Sequence, residues 1–286
     1  MGKAESLQGA DVLVTGIPRS GTSYFCTQLH NLRDCVAINE PEEIFRHLND
    51  ISPPWGMPAY YGRLRSDILA RRPISNKIHR GRLIEDTAVV QQEELYSPEV
   101  TSSGFVLATK NTLAYLARIP LLARAMPEAA IVACIRNPYD AIASWKGTFE
   151  HLAGASVRQI RLGFVGDPLL CPAARTRVQE IDSESKVEIR RALFWRHLVH
   201  LILEDRDLFA QVVRYEDLVS DPERHLRSLY AQLRNAPAFH AIQPFQPSAA
   251  RKARSSNLTM RDVEAIREVC GDAAAAFGYD LRAAGP

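Results

Sequence analysis

A short apolar run that closes in a glycine-rich turn and continues as a helical pattern constrains this chain more than any other feature. Residues 11–17, Asp-Val-Leu-Val-Thr-Gly-Ile, lack the alternation of a half-solvated strand and read as a strand buried on both faces. The turn Gly-Ile-Pro-Arg-Ser-Gly-Thr-Ser follows at 16–23, and Phe25, Leu29 and Leu32 then recur at helical spacing over 22–32. Apolar runs at 105–109 and 131–135 each precede a helix-compatible stretch, and a fourth strand is expected at 212–215. Short strands alternating with helices specify an α/β fold, a P-loop-like parallel sheet flanked by helices on both faces.

Helix starts are marked by their chemistry. Asn137 can cap free amides and Pro138 lacks the N–H that a first helical turn would orphan. Ser220-Asp-Pro-Glu223 offers a capping box, and Thr259-Met-Arg-Asp262 resembles another. Over 186–204, Val187, Ala192, Trp195, Val199 and Ile202 form one apolar stripe, so this stretch reads as a long amphipathic helix with a core tryptophan. Stretches 50–62, 148–180 and 236–258 read as loops or short helices, long enough to act as lids or binding loops. With no linker to divide it, the chain is expected to form a single domain over 1–286.

Composition excludes several classes. The 286 residues are 46% hydrophobic and 24% charged, ordinary globular usage. Thirty-five Lys+Arg against 33 Asp+Glu leave +2, too balanced for a sequence-independent nucleic-acid surface. The longest apolar runs fall far short of the ~20 residues that cross a bilayer, and no charged-then-apolar leader opens the chain, so membrane insertion is not expected and the protein reads as cytoplasmic. The opening Met-Gly-Lys-Ala-Glu-Ser fits an acylation pattern only loosely. Five scattered cysteines without a CxxC pair read as reduced packing residues, not as disulfides or a zinc site.

The turn at 16–23 has the frame of a phosphate-binding loop, where backbone amides and the helix dipole favour an anion. It differs from the Walker A pattern at one slot. Where nucleotide triphosphatases place Lys after the second glycine, this chain has Thr22, and its cation is Arg19 inside the loop. The strand at 131–135 ends in Arg136 instead of a Mg²⁺-holding acid, and Asp217 is the only rival for that role. A structural turn remains the alternative for the loop taken alone. A second segment, Arg136-Asn-Pro-Tyr-Asp-Ala-Ile-Ala-Ser144, puts a cation at a strand end and a hydroxyl two turns into the next helix, where both could face one phosphate.

With these segments in order, the chain resembles the sulfotransferases that use 3′-phosphoadenosine 5′-phosphosulfate (PAPS). PRSGTS at 18–23 is similar to their 5′-phosphosulfate loop and RNPYDAIAS at 136–144 to their 3′-phosphate motif. Val213-Arg-Tyr-Glu-Asp-Leu-Val219 with Asp221-Pro222, and the closing Phe277-Gly-Tyr-Asp280, also fit. The likeness runs from about 11 to 281 and is nearer the bacterial and tyrosylprotein-type branch than the cytosolic aryl branch; 45–103 and 148–185 resemble nothing recognised.

The resemblance implies roles. Arg19, Ser20, Gly21, Thr22 and Ser23 would hold the 5′-phosphosulfate through amides, hydroxyls and the Arg19 guanidinium. Arg136 and Ser144 would take the 3′-phosphate, joined by a basic loop of Arg251, Lys252 and Arg254, and Tyr215 would lie near the adenine. Lys110, at the end of the 105–109 strand, would contact the transferring group. The histidine base of the aryl branch is absent, since Thr112 stands there. Glu40, 21 residues after Arg19, matches the base of the tyrosylprotein-type branch, with Glu42 or Glu43 as alternatives if the alignment slips. Arg19, Lys110 and Glu40 are thus the expected catalytic residues, PAPS the cofactor, adenosine 3′,5′-bisphosphate its product, and no metal is required. A P-loop kinase or nucleotide triphosphatase with an irregular loop, or a non-catalytic nucleotide-binding scaffold, are the competing readings.

The resemblance implies a hydroxyl acceptor, whose class the residues constrain less. Residues 63–82 hold seven Lys/Arg and one acid, a local excess of +6, with Arg158, Arg161, Arg175 and Arg177 as a sparser group. Lining the cleft mouth, they would favour an anionic or carrier-bound acceptor; as a solvated face they would do nothing. Trp55, Tyr60 and Tyr61 beside prolines could wall a sugar or aryl ring or simply pack.

Overall fold

The computed structural model describes residues 9–49, 56–80, 82–83, 92–248 and 257–282. Five strands, β1 (Asp11–Gly16), β2 (Cys35–Asn39), β3 (Val106–Lys110), β4 (Ala130–Ile135) and β5 (Gln211–Arg214), form one sheet in the order β2-β3-β1-β4-β5. All four pairings are parallel, with Val14 opposite Lys110, Asn39 opposite Lys110, Gly16 opposite Cys134 and Ile135 opposite Arg214. Every strand therefore ends on one edge. From β1 the chain builds β2 and β3 on one side and then crosses from β3 to β4 on the other side of β1, so the crevice between the β1 and β4 ends is the place where such sheets take ligands.

Alternate strand residues feed two cores. On one face, Val12, Val14, Ala37, Val106, Ala108, Val132 and Cys134 pack against α1 (Thr22–His30) and later against Leu226 and Leu229. The opposite face, with Leu13, Val36, Ile38, Leu107, Ile131 and Ala133, meets α2 (Gly56–Leu69), α3 (Pro138–Lys146) and, beyond α4 (Pro172–Ser183), the long α5 (Val187–Glu204). Leu226 and Leu229 belong to α6 (Pro222–Tyr230), and α7 (Met260–Ala275) closes the second face against α5. Helices thus cover both faces.

Four differences from the sequence reading have local causes. The strand β2 has only five residues, all buried and without alternation, and as a bare apolar run it carries no period of its own. Within 50–62, α2 begins at Gly56 despite Pro58 and Gly62; the proline falls in the first turn, where a missing N–H costs nothing. Tyr60 and Tyr61 lie on the buried face of α2, 3% and 2% exposed, and wall no sugar or aryl ring. Tyr61 donates to the Val12 carbonyl at 2.9 Å and meets the Thr109 hydroxyl at 2.6 Å; Trp55 is outside the described residues. Ser220 ends a helix instead of starting one, and Asp221 caps α6 by accepting from the Arg224 amide at 3.1 Å. The other two caps form as read, with Asn137 accepting from Tyr139 N and a full capping box at Thr259 and Asp262. No described helix is long and apolar enough to cross a membrane.

Candidate functional site

The loop after β1 is shaped by close approach. At Gly16 a Cβ would sit 2.1 Å from the Cys134 carbonyl oxygen, so β1 and β4 can meet there only without a side chain. Gly21 adopts φ 85°, and a Cβ on it would lie 2.5 Å from the Tyr215 ring. Between them Arg19 takes φ 70°, which turns its backbone into the left-handed region and sends its guanidinium across to the Ser144 hydroxyl, 3.1 Å away. Arg136, at the end of β4, donates to the Arg19 carbonyl at 3.1 Å and stacks 4.4 Å above the Tyr215 ring. Trp145 fastens α3 beneath the loop by donating to the Pro18 carbonyl at 2.8 Å. Loop, strand end, helix and Tyr-Glu-Asp segment are thereby one structure.

Ser20 departs from its expected role. Its amide donates to the Ile17 carbonyl at 3.1 Å, and its buried hydroxyl is engaged by the carbonyls of Ile17, at 2.5 Å, and Cys134, at 2.7 Å. Both groups close the turn, leaving the hydroxyl no reach toward a ligand. The loop's Arg19, Gly21, Thr22 and Ser23 do line the cleft, together with Glu40, Lys110, Arg136, Ser144 and Tyr215. The cleft has a volume of about 1310 Å³.

On the other side of β1, the side chain of Lys110 is buried and reaches the Ser23 hydroxyl at 3.1 Å and Glu40 Oε1 at 2.5 Å. Glu40 follows β2 with φ 46°, its amide donating to the Lys110 carbonyl at 2.8 Å, so the kink turns its carboxylate inward. Its other oxygen, Oε2, accepts from Lys77 at 2.9 Å. Burial would raise the Glu40 carboxyl, but Lys110 and then Lys77 overcome it and hold it at about 2. The alternatives to Glu40 are engaged elsewhere. Glu43 forms a bidentate pair with Arg63 on the exterior, and Glu42 reaches the cleft but pairs with Arg161 at 2.5 Å in solvent. Asp217 sits 3.7 Å from Arg214, half-exposed on the helix Tyr215–Ser220.

The basic runs do not converge on the cleft. Arg63 pairs with Glu43, Arg65 with Asp11 inside the protein, Arg72 with Asp67, Arg158 with Asp182 and Arg177 with Glu204. Of these runs only Lys77 and Arg161 line it among the described residues, each already paired with a carboxylate. The local +6 is therefore mostly spent on structure and gives no support for an anionic acceptor. Arg251, Lys252 and Arg254 lie outside the described residues. Sequence reasoning placed Lys77 only in the basic run at 63–82, with no link to Glu40, and gave no role to the cleft residue Asn257, which donates to the Ala143 carbonyl at 3.4 Å. Neither stands in a motif. Among the described residues no cluster of His, Cys, Asp and Glu could hold a metal ion.

Fold and cleft define a class: α/β proteins that carry a basic, glycine-looped ligand cleft at the carboxyl edge of a parallel sheet. A family model described as the sulfotransferase family matches residues 11–236, and the chain belongs to that family. No curated protein matches it in sequence. Solved structures similar to it include the sulfotransferase STF9 from Mycobacterium avium, at 15% identity over 96% of this chain and 78% of that one, with a TM-score of 0.44. The sulfotransferase domain from the curacin biosynthetic pathway is 15% identical over 96% and 99% of the two chains, TM-score 0.42. The sulfotransferase domain of the Synechococcus PCC 7002 olefin synthase is 15% identical over 98% of each, TM-score 0.40.

Proposed function

We propose that this protein transfers a sulfuryl group from PAPS to a hydroxyl acceptor, a small molecule, saccharide or carrier-bound group, by in-line displacement. The observation that carries this reading is the convergence of Arg19, Lys110 and Arg136, from three separate segments, on one cleft in which Glu40 touches Lys110. The donor set suits a nucleotide bearing anions at two ends. Thr22, Ser23 and Arg19 would hold the 5′ end at the start of α1, Arg136 and Ser144 the 3′-phosphate, and Tyr215 the purine. Arginine fits the phosphate because its planar fork donates to two oxygens together. When bound, PAPS supplies the activated sulfuryl group.

Glu40 accepts the proton of the acceptor hydroxyl, while Arg19 and Lys110 neutralise charge on the leaving side. A transferring sulfuryl group carries less negative charge than a phosphoryl group, so fixed cations suffice where a kinase recruits Mg²⁺. Calorimetry with adenosine 3′,5′-bisphosphate should show tight binding in the presence of a chelator. Glu40→Gln should keep that binding and lose sulfuryl transfer by about 10²- to 10⁴-fold, the range for a general base. Full turnover by Glu40→Gln would remove Glu40 from the mechanism, and a requirement for Mg²⁺ would overturn the cofactor.

A further inference from the structure

The geometry points to Lys77 as a positioning residue of the active centre: it holds one carboxylate oxygen of Glu40 and so aims the other at the acceptor hydroxyl. This rests on the reading of Glu40 as the base. The two oxygens of that carboxylate are divided between two lysines from opposite sides, Oε1 to Lys110 at 2.5 Å and Oε2 to Lys77 at 2.9 Å. Lys110 is shared with the phosphate loop, since it also reaches Ser23 at 3.1 Å. An anion in the loop competes for Lys110, and whatever Lys110 gives up on Oε1 becomes room for the acceptor's O–H. Lys77 is then the contact that keeps the carboxylate from turning about its terminal bond.

The mooring of Lys77 is what separates it from a chance ion pair on the surface. It follows Asn76 on the short strand Ile74–Asn76, which pairs antiparallel with Glu94–Tyr96. Asn76 is fully buried and its amide is committed to the end of β2: Oδ1 accepts from Asn39 N at 2.8 Å and Nδ2 donates to the Ala37 carbonyl at 2.9 Å and toward the Tyr96 hydroxyl at 3.2 Å. Those bonds fix the Lys77 backbone against the strand that delivers Glu40. An exposed salt bridge contributes little to stability and needs no such anchor. The side chain of Lys77 is only 21% exposed and lines the cleft.

Among the described residues, few groups surround Glu40. Lys110 comes from β3, Lys77 from the Asn76 segment, and Ser23 and Cys26 from α1. Burial pushes the Cys26 thiol up to about 12, so it is neutral, and Glu93 is occupied by the Glu42 amide and the Ser75 hydroxyl. The acid limb of the activity profile therefore reports Glu40 against two lysines.

The test uses Lys77→Met, which keeps the length of the side chain and removes its charge, and Lys77→Arg, which keeps the charge. In cofactor-free protein labelled with ¹³C at glutamate carboxyls, with Glu40→Gln providing the assignment, Lys77→Met should move the Glu40 titration upward and Lys77→Arg should return it. An unmoved titration overturns the inference. With bisphosphate affinity matching wild type, Lys77→Met should lower kcat by up to ~10²-fold, the cost of a misplaced reacting group. Its acid limb should shift to higher pH, and Lys77→Arg should recover most of the rate. Wild-type kcat in Lys77→Met would equally overturn it. If wild-type protein fails to bind the bisphosphate, the cofactor reading falls, while the carboxyl titration still decides whether Lys77 governs Glu40.

Discussion

Adding one methyl group at Gly21 would disturb two contacts together. The residue's φ of 85° is one that alanine adopts only under strain, and the new Cβ would meet the Tyr215 ring at 2.5 Å, the ring on which Arg136 stacks. The strain alone is about 1–3 kcal/mol, and the ring must move in addition. Gly21→Ala should therefore weaken bisphosphate binding by at least ~10-fold, since 1.4 kcal/mol is a factor of ten, and lower Tm by several degrees. Normal binding with an unchanged Tm would show that the ring relaxes freely. At this scale the sequence was informative wherever a residue's place follows from the end of its own strand or loop. Arg19, Lys110 and Arg136 stand at or just past the ends of three of the five parallel strands, and the parallel register brings those ends to one edge. Ser20 was not legible in this way, because which way its hydroxyl turns depends on the fold of the turn and on Cys134, 114 residues away. Lys77 was opaque for a similar reason: it reaches Glu40 through the side chain of Asn76, and side-chain moorings leave no periodic trace.

Three elements meet at Asp262, and their packing depends on its charge. Its carboxylate, 1% exposed, receives Arg191 from α5 at 2.6 Å and Lys146 from α3 at 2.7 Å while completing the Thr259 capping box of α7. Burial would raise it, yet Lys146, the Thr259 amide and Arg191 hold it well below the usual carboxylate range. Asp262→Asn leaves Arg191 buried opposite a neutral amide, a change that costs about 3–5 kcal/mol when one partner of a buried pair is lost. Thr259→Ala removes one cap bond and should cost about 1 kcal/mol. Urea unfolding of the two variants should separate them in that order, and equal midpoints would mean that Asp262 acts as a cap alone. The α7 cap was readable in sequence because capping chemistry is local. Helix α2 was not, since the signals of Pro58 and Gly62 were overridden by a buried face of Tyr61, Leu64 and Ile68 packed against the sheet.

Across the whole molecule 35 Lys and Arg against 33 Asp and Glu leave a net charge of only +2, and what acid breaks is the set of groups whose titration folding has displaced. His197 is fully buried on α5, in contact with Arg177 of α4, where burial first, then Arg177 and His200, hold its imidazole at about 3. His30 is lowered by burial as well. Below the ordinary histidine value of 6.5, the unfolded chain binds protons that these folded-state rings refuse. Stability is therefore complete above pH 6.5 and falls by up to about 1.4 kcal/mol per pH unit for a ring like His197. Glu40 adds a second stage in the same direction: held at about 2 against an ordinary 4.5, its contribution is present above pH 4.5 and lost as pH falls toward 2. Asp262 joins that stage. Urea midpoints measured from pH 8 to pH 3 should be level at first, bend downward near 6.5 and steepen below 4.5. In His197→Asn, whose side-chain oxygen can accept from Arg177 in place of Nδ1, the first slope should lessen while the second persists, whatever the variant's absolute stability. An unchanged slope between pH 6.5 and 5 in that variant would show that His197 takes up its proton without unfolding, and that the contact with Arg177, 3.3 Å in the neutral form, opens to admit it.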